Sequence, residues 1–388
     1  MTKKEAKKLL SPGLTRRQVL ATAIIAPTIT STSPTPIRAI VNHIDALPTG
    51  PVWLASYPGD ATPPALRNAA FVYDNALALI ALKSHGNIAA ALRIGEAMLI
   101  ALDHDRFWHD GRLRNAYRAG PATTPAALPG YWNAKLNLWS EDAYQAGSAT
   151  GNVAWAALAL LHLAPHGARF QSGAQRMIAW LDGNTSAQGI IGGYFGEEPH
   201  PIQQNWRSTE QNIDAAVVMR AVGDSRADWC RAFVTHQFDR ARGCFNTGST
   251  PGPTALDANL WPLLAFPDPP HEWRRALDWV RAHYGAEGGL GFRDNPDGLW
   301  TEGTAQGALT FALSGDPATA AKLLAKLPEM AASNGYLRAA NHEIRTGLAI
   351  GPHSTSDDFR YYPLPHLGAT AWAALAFARV NPFRIDHI

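Results

Sequence analysis

Six stretches of this chain are apolar around almost the whole circumference of a helix. They begin near Phe71, Gly151, Thr209, Leu256, Thr301 and Leu367. A more amphipathic helical stretch follows each of the first five: Ile88–Leu102, Phe170–Leu181, Arg226–Phe238, Glu272–Tyr284 and Pro317–Met330. A helix that is greasy on every side must be surrounded by protein, so the six belong inside and their partners outside. A linear stack would need even spacing and polar terminal repeats. Here the spacing varies, and the sixth apolar helix has no polar helix after it to cap a stack. Closing the row into a ring covers every apolar face, and either a short helix over residues 39–50, ended by Pro48 and Gly50, or the short segment before Phe71 supplies the sixth outer partner. The expectation is an all-α (α/α)6 toroid, one domain over residues 39–388, with short β segments and long loops on one face.

Residues 1–38 read as an address and linker. Lys3, Lys4, Lys7 and Lys8 lead into L-T-R-R-Q-V-L, which resembles a twin-arginine signal with Arg16 and Arg17 in the motif and Val19 where the usual pattern has Phe. The apolar run behind it is too short for a stable membrane span. Export of a folded protein to the periplasm or medium is expected. There Cys230 and Cys244 form either one disulfide or two buried thiols. A net charge of +2, with no basic block beyond the first 17 residues, argues against a nucleic-acid partner. No C-x-x-C, H-E-x-x-H or EF-hand spacing signals a metal, the Gly pairs read as turns rather than phosphate cradles, and no cofactor is expected. The chain is expected to be a monomer.

In such a ring the inner helices run parallel and open their first turns on one face. The sequence places polar groups there: Asp74, Asn152, Glu210 with Asn212 and Asp214, Asp257 with Asn259, and Glu302, with His366 and Thr370 flanking the sixth helix. Capping and dipole roles would explain any one of these acids. That account is weakest for Glu210 and Glu302. Each follows a Thr able to cap, and each lies near a Trp in N-W-R-S-T-E-Q-N-I-D and L-W-T-E-G-T.

The segments W-x-S-T-E-x-N-x-D, W-T-E-G-T and H-x-G-A-T-A-W resemble bacterial proteins of the six-hairpin glycosidase class, over roughly residues 65–383. The resemblance implies an enzyme that processes poly- or oligosaccharides, usually with inversion. Glycoside hydrolysis needs one protonated and one ionised carboxyl group. Glu210 is the expected acid and Glu302 the expected base, with Asp74, Glu141, Asp142 and Asp214 as substitutes. Asp214, one turn beyond Glu210, can orient it or bind a sugar hydroxyl. The long excursion over residues 106–150 is rich in aromatics that read either as a ligand wall or as loop anchors. Trp132 and Trp139 within it, with Trp206 and Trp300, are candidate stacking platforms. Glu141, Asp142, Asn212 and His366 are further substrate contacts, and Arg207 and Arg293 can meet an acidic sugar or serve in ion pairs. A polysaccharide lyase would draw on Asn341, His342, Arg345, Tyr361 and Tyr362. An epimerase would need a histidine pair from His342, His353 and His366. A non-catalytic carbohydrate-binding protein would use the same cavity. Every reading has carbohydrate as the partner.

Overall fold

The computed structural model describes residues 35–59, 61–354 and 358–385; the twin-arginine-like segment lies outside them. The helices are α1 (Pro36–Asp45), α2 (Val72–Ser84), α3 (Ile88–Asp103), α4 (Ala143–Ala146), α5 (Thr150–Leu163), α6 (Ala168–Gly183) and α7 (Thr209–Ala221). They continue with α8 (Ala227–Gln237), α9 (Leu256–Ala265), α10 (Arg275–His283), α11 (Thr301–Leu313), α12 (Pro317–Lys326) and α13 (Leu367–Ala378). The apolar helices α2, α5, α7, α9, α11 and α13 each pack on the next, and α13 packs back on α2. That last contact closes the ring. The outer helices α3, α6, α8, α10 and α12 lie against their own inner partners, and α1 covers α13. The fold is therefore an (α/α)6 toroid with peripheral two- and three-stranded β-ribbons.

The sequence pattern explains the layering. In α5 and α13 nearly every residue is buried, whereas α6 and α12 bury only one stripe. Helix α1 starts at Pro36, earlier than the expected residue 39. Proline at a helix start loses no hydrogen bond and has its φ already set, so the helix reaches back into the stretch expected to be linker. No helix among the described residues is long and apolar enough to cross a membrane.

Aromatic side chains from the inner helices fill the middle of the ring. Trp155 meets Tyr73 edge-on at 5.3 Å and Trp261 at 5.5 Å, and Trp261 stacks with Trp372 at 6.0 Å. Phe383, past the end of α13, packs on Trp155 and Trp261. These rings meet across the middle of the toroid and form a floor.

The excursion over residues 106–150 is tied down rather than loose. Arg114 is fully buried, with its guanidinium on Asp105 at 2.6 and 2.8 Å, on Glu198 at 2.8 Å and on the Ala146 carbonyl. Tyr117 stacks on Trp53. Tyr117 is a buried anchor of this excursion, whereas Phe107, Trp132 and Trp139 are exposed. Cys230 and Cys244 are both buried free thiols.

Candidate active site

A cavity of about 610 Å³ opens at the first turns of the inner helices. Tyr73 and Trp155 form part of its floor, and Glu210, Asp257 and Glu302 stand on its wall. Three successive inner helices, α7, α9 and α11, supply these acids from equivalent first-turn positions. Tyr144, Phe195, Trp206, Phe292, Trp300 and Tyr361 make the surround largely aromatic.

Of the two residues able to cap α7, Ser208 does so, and the threonine cap expected of α11 is not made. Ser208 caps α7 by accepting from the Gln211 N–H, while Thr209 is the first helical residue and donates instead to the Asn246 carbonyl. Helix α11 has no side-chain cap, and the Thr301 hydroxyl is buried without a partner among the described residues. Neither Glu210 nor Glu302 makes a capping bond among those residues.

Glu302 is 1% exposed. Its Oε1 accepts from the Tyr73 hydroxyl at 2.6 Å and from Gln306 Nε2 at 3.2 Å, and the Trp372 indole N–H donates to that same tyrosine oxygen at 2.9 Å. Burial pushes the Glu302 carboxyl up to about 8, against the pull of His366; Asp74 adds to the rise and the Tyr73 bond opposes it. Asp257 is raised by burial to about 6, moderated by the Ala258 N–H that donates to its Oδ1 at 2.6 Å. Glu210 is held well above the usual carboxylate range by burial first, then by the charges of Asp257, Asp214 and Glu302. Part of its surface still faces the cavity. Asp214, behind it, is also raised well above normal by burial and by Asp257. The Trp155 indole lies near enough to oppose that rise, although no hydrogen bond of ordinary geometry joins the two. Asp214 does not bond to Glu210 either, so it acts on Glu210 through charge and packing.

Asp74 and His366 form a buried pair behind Glu302, with His366 Nε2 3.4 Å from Asp74 Oδ2. His366 also caps α13, its Nδ1 accepting from the Ala369 N–H at 3.2 Å. Burial works against charge on the imidazole, but Asp74 and Glu302 outweigh it and raise its pKa. Asp74, Glu302 and His366 each offer a ligand atom within 4.8 Å of the others, enough in spacing to hold an ion. The capping bond speaks against it. With Nδ1 accepting, the proton sits on Nε2, where a metal would have to bind. The cluster is better suited to holding protons. Gly368 makes it possible: a Cβ there would lie 2.5 Å from Asp74 Oδ1 and 3.0 Å from Glu302 Oε2.

Of the side chains expected at the site, Glu210, Glu302, Trp206 and Trp300 line the cavity. Asp74, Asp214 and His366 stand just behind the wall. Asn212 is structural, bonding the Ile190 N–H at 2.9 Å and the Ser208 carbonyl at 2.8 Å. Asp142 caps α4, and Glu141 forms a bidentate pair with Arg106 at 2.8 and 2.6 Å. Trp132 and Trp139 stand on an external hairpin and are 58% and 55% exposed. Asp257 is the cavity acid that the sequence did not single out as a reacting group. Its first-turn position in an apolar helix was the available signal. Of the lyase kit only Tyr361 lines the cavity; Asn341 and His342 bond the backbone at Leu299 and Asp297. His342 and His353 are exposed, so no histidine pair forms with His366. Among the described residues Arg207 is the only cation on the wall, and its guanidinium reaches the carbonyls of Gly189 and Asn205. Arg293 reaches the Arg345 carbonyl.

No family model matches the chain, and no curated protein matches it. Solved structures do. A wild-type glycosidase shares 15% identity over 89% of this chain and 95% of its own, with a TM-score of 0.58. A sugar epimerase from a ruminal bacterium shares 11% over 88% and 96%, with a TM-score of 0.59. An α-amylase from Clostridium perfringens shares 11% over 89% and 98%, with a TM-score of 0.58. Together with the closed ring of six helix pairs, this shows that the chain has the six-hairpin glycosidase-like (α/α) toroid fold.

Proposed function

We propose that the protein is a glycoside hydrolase acting on a poly- or oligosaccharide. The observation that carries this reading is the wall of three buried or half-buried carboxyl groups that equivalent first turns of α7, α9 and α11 bring to one cavity, each raised from the ordinary carboxylate range by its surroundings. Glu210, whose carboxyl burial and neighbouring acids hold well above the usual carboxylate range, faces the cavity and is placed to act as the general acid. Asp257, at about 6, is largely ionised and can take a proton from water. Glu302, at about 8, is the other base candidate once ionised, and otherwise a hydrogen-bond donor to a sugar hydroxyl. In the proposed step Glu210 gives its proton to the glycosidic oxygen as the C–O bond breaks. Water attacks the anomeric carbon from the opposite face, and Asp257 accepts the proton that water releases. The configuration inverts, and solvent resets both carboxyl groups. The solved glycosidase neighbour, one variant of which is in complex with glucose, supports a carbohydrate substrate. A uronate substrate is disfavoured because the wall offers three acids and only one, outwardly engaged, arginine. We also propose export through the twin-arginine-like segment to the periplasm or medium, and a monomeric state; fractionation of a tagged full chain and light scattering test these.

The test is a product screen over β-glucans, α-glucans, fructans and uronic-acid polymers, followed by Glu210→Gln and Asp257→Asn on the best substrate. Each substitution is expected to lower kcat by about 10²–10⁴-fold. Proton NMR of the first product is expected to show the inverted anomer. Unchanged turnover in Glu210→Gln removes Glu210 as the acid.

A further inference from the structure

The external hairpin Tyr131–Asn133/Leu138–Ser140 has a surface that the cavity does not use. Trp132 and Trp139 are direct cross-strand partners, so both indoles lie on one face of the ribbon. Leu138 pairs with Asn133 and points to the other face with Tyr131 and Ser140. The two tryptophans are more than half exposed, and neither makes a ring contact with the other or with any other aromatic among the described residues. Trp139 is laid over Gly130, where a Cβ would come within 2.3–2.8 Å of the indole; only glycine lets that ring lie so close to the backbone. The backing is itself anchored, with Asn68 Nδ2 donating to the Gly130 carbonyl at 3.1 Å. The result is a pair of exposed rings on one face, with Trp139 fixed from behind by Gly130.

We infer that Trp132 and Trp139 form an auxiliary polysaccharide-binding platform outside the cavity, which grips a pyranose chain by stacking. Two features on the page favour this occupant. Flat rings with exposed faces match the apolar C–H face of a pyranose. The platform also lies within a short chain distance of the proposed active site. The cavity-lining Tyr144 follows Trp139 closely in sequence, at most about 18 Å away along the chain. The single cation of the hairpin, Lys135, is too little to draw it to an anionic lipid surface.

The inference rests on the carbohydrate reading of the cavity, but its test does not need turnover. Native gels cast with soluble β-glucan, starch, mannan or chitosan would compare the parent with Trp132→Ala/Trp139→Ala. Retardation of the parent by at least one polymer is expected, with affinity about tenfold or more weaker in the double variant. If the hydrolase reading holds, kcat/KM on a short soluble glycoside stays unchanged in the double variant while activity on the polymer falls. Equal retardation of both proteins overturns the inference, as does no retardation of either. A concentration-dependent dimer lost in the double variant, or tryptophan-dependent binding to phosphatidylglycerol vesicles, also overturns it by giving the face to another occupant. Tryptophan-dependent retardation without any turnover would sustain the platform and sink only the hydrolase reading.

Discussion

Replacing Glu302 with Gln tests the electrostatics of the ring directly. A carboxyl that titrates at about 8 in the folded chain and near 4.5 when unfolded costs stability as pH rises. Between those values the unfolded chain has released the proton and the folded chain has not. The slope is about 1.4 kcal/mol per pH unit, so the loss between pH 4.5 and pH 8 is about 5 kcal/mol, flat above. The amide of the Glu302→Gln variant does not titrate, and its geometry fits. The amide oxygen can accept from Tyr73 and Gln306, and the amide nitrogen takes the place of Oε2 beside Asp74 across the Gly368 notch. His366 contributes in the same direction. Its folded pKa is raised, so its stabilisation is complete below 6.5 and is lost as pH climbs through the folded value, but it is present in both proteins. Asp257, Glu210 and Asp214 are also common to both. Urea unfolding at pH 5, 7 and 9 would isolate the difference. Glu302→Gln is expected to gain about 4 kcal/mol relative to the parent between pH 5 and pH 9. Parallel pH curves would mean that Glu302 is already ionised in the folded ring, and the assignment of proton positions would fall.

Arg114→Met leaves Asp105 buried without its partner and should cost about 3–5 kcal/mol, read as a lower urea midpoint. Gly193→Ala places a Cβ 2.2 Å from the Ser148 carbonyl oxygen at a φ of +107°, in the strand beside the cavity. A loss of about 2 kcal/mol or more is expected by the same assay. Gly368→Ala sets the helix preference for alanine, about 1 kcal/mol, against overpacking of two buried acids, about 1–3 kcal/mol. The acids are held by Tyr73, Gln306 and His366 and cannot swing aside, so a net loss of stability with a fall in kcat is expected from urea titration and steady-state kinetics.

The inner helices were legible because burial on all sides leaves a plain mark. The six observed starts fall within one residue of those read from the pattern, and α1 takes the outer position the ring required. The acids at the first turns followed from that geometry. Other features depend on contacts distant in sequence. Asp257 stands in L-D-A-N-L-W-P, without the immediately preceding Thr and the upstream Trp that mark Glu210 and Glu302, and only the ring brings it between them. The pairing of Asp74 with His366 exists because α13, near the other end of the chain, closes on α2. Trp132 and Trp139 carry the right chemistry for stacking, but the path of their loop is set by Arg114 reaching back to Asp105 and on to Glu198. Nothing local to the hairpin says whether it folds over the cavity or away from it.

Five carboxyl groups at the heads of four inner helices would repel one another strongly if all were ionised. The ring avoids this without a matching set of cations. Its aromatic floor and apolar helices strip water from the acids, so Glu210 and Asp214 are held well above the ordinary carboxylate range, Glu302 is pushed up to about 8 and Asp257 to about 6. Asp74 is met by the buried imidazole of His366. The burial that makes ring closure favourable is thus also what separates the protonation states. A looser ring that admitted water would bring the acids toward ordinary values together, and would lose the protonated acid beside the ionised base on which the proposed chemistry depends.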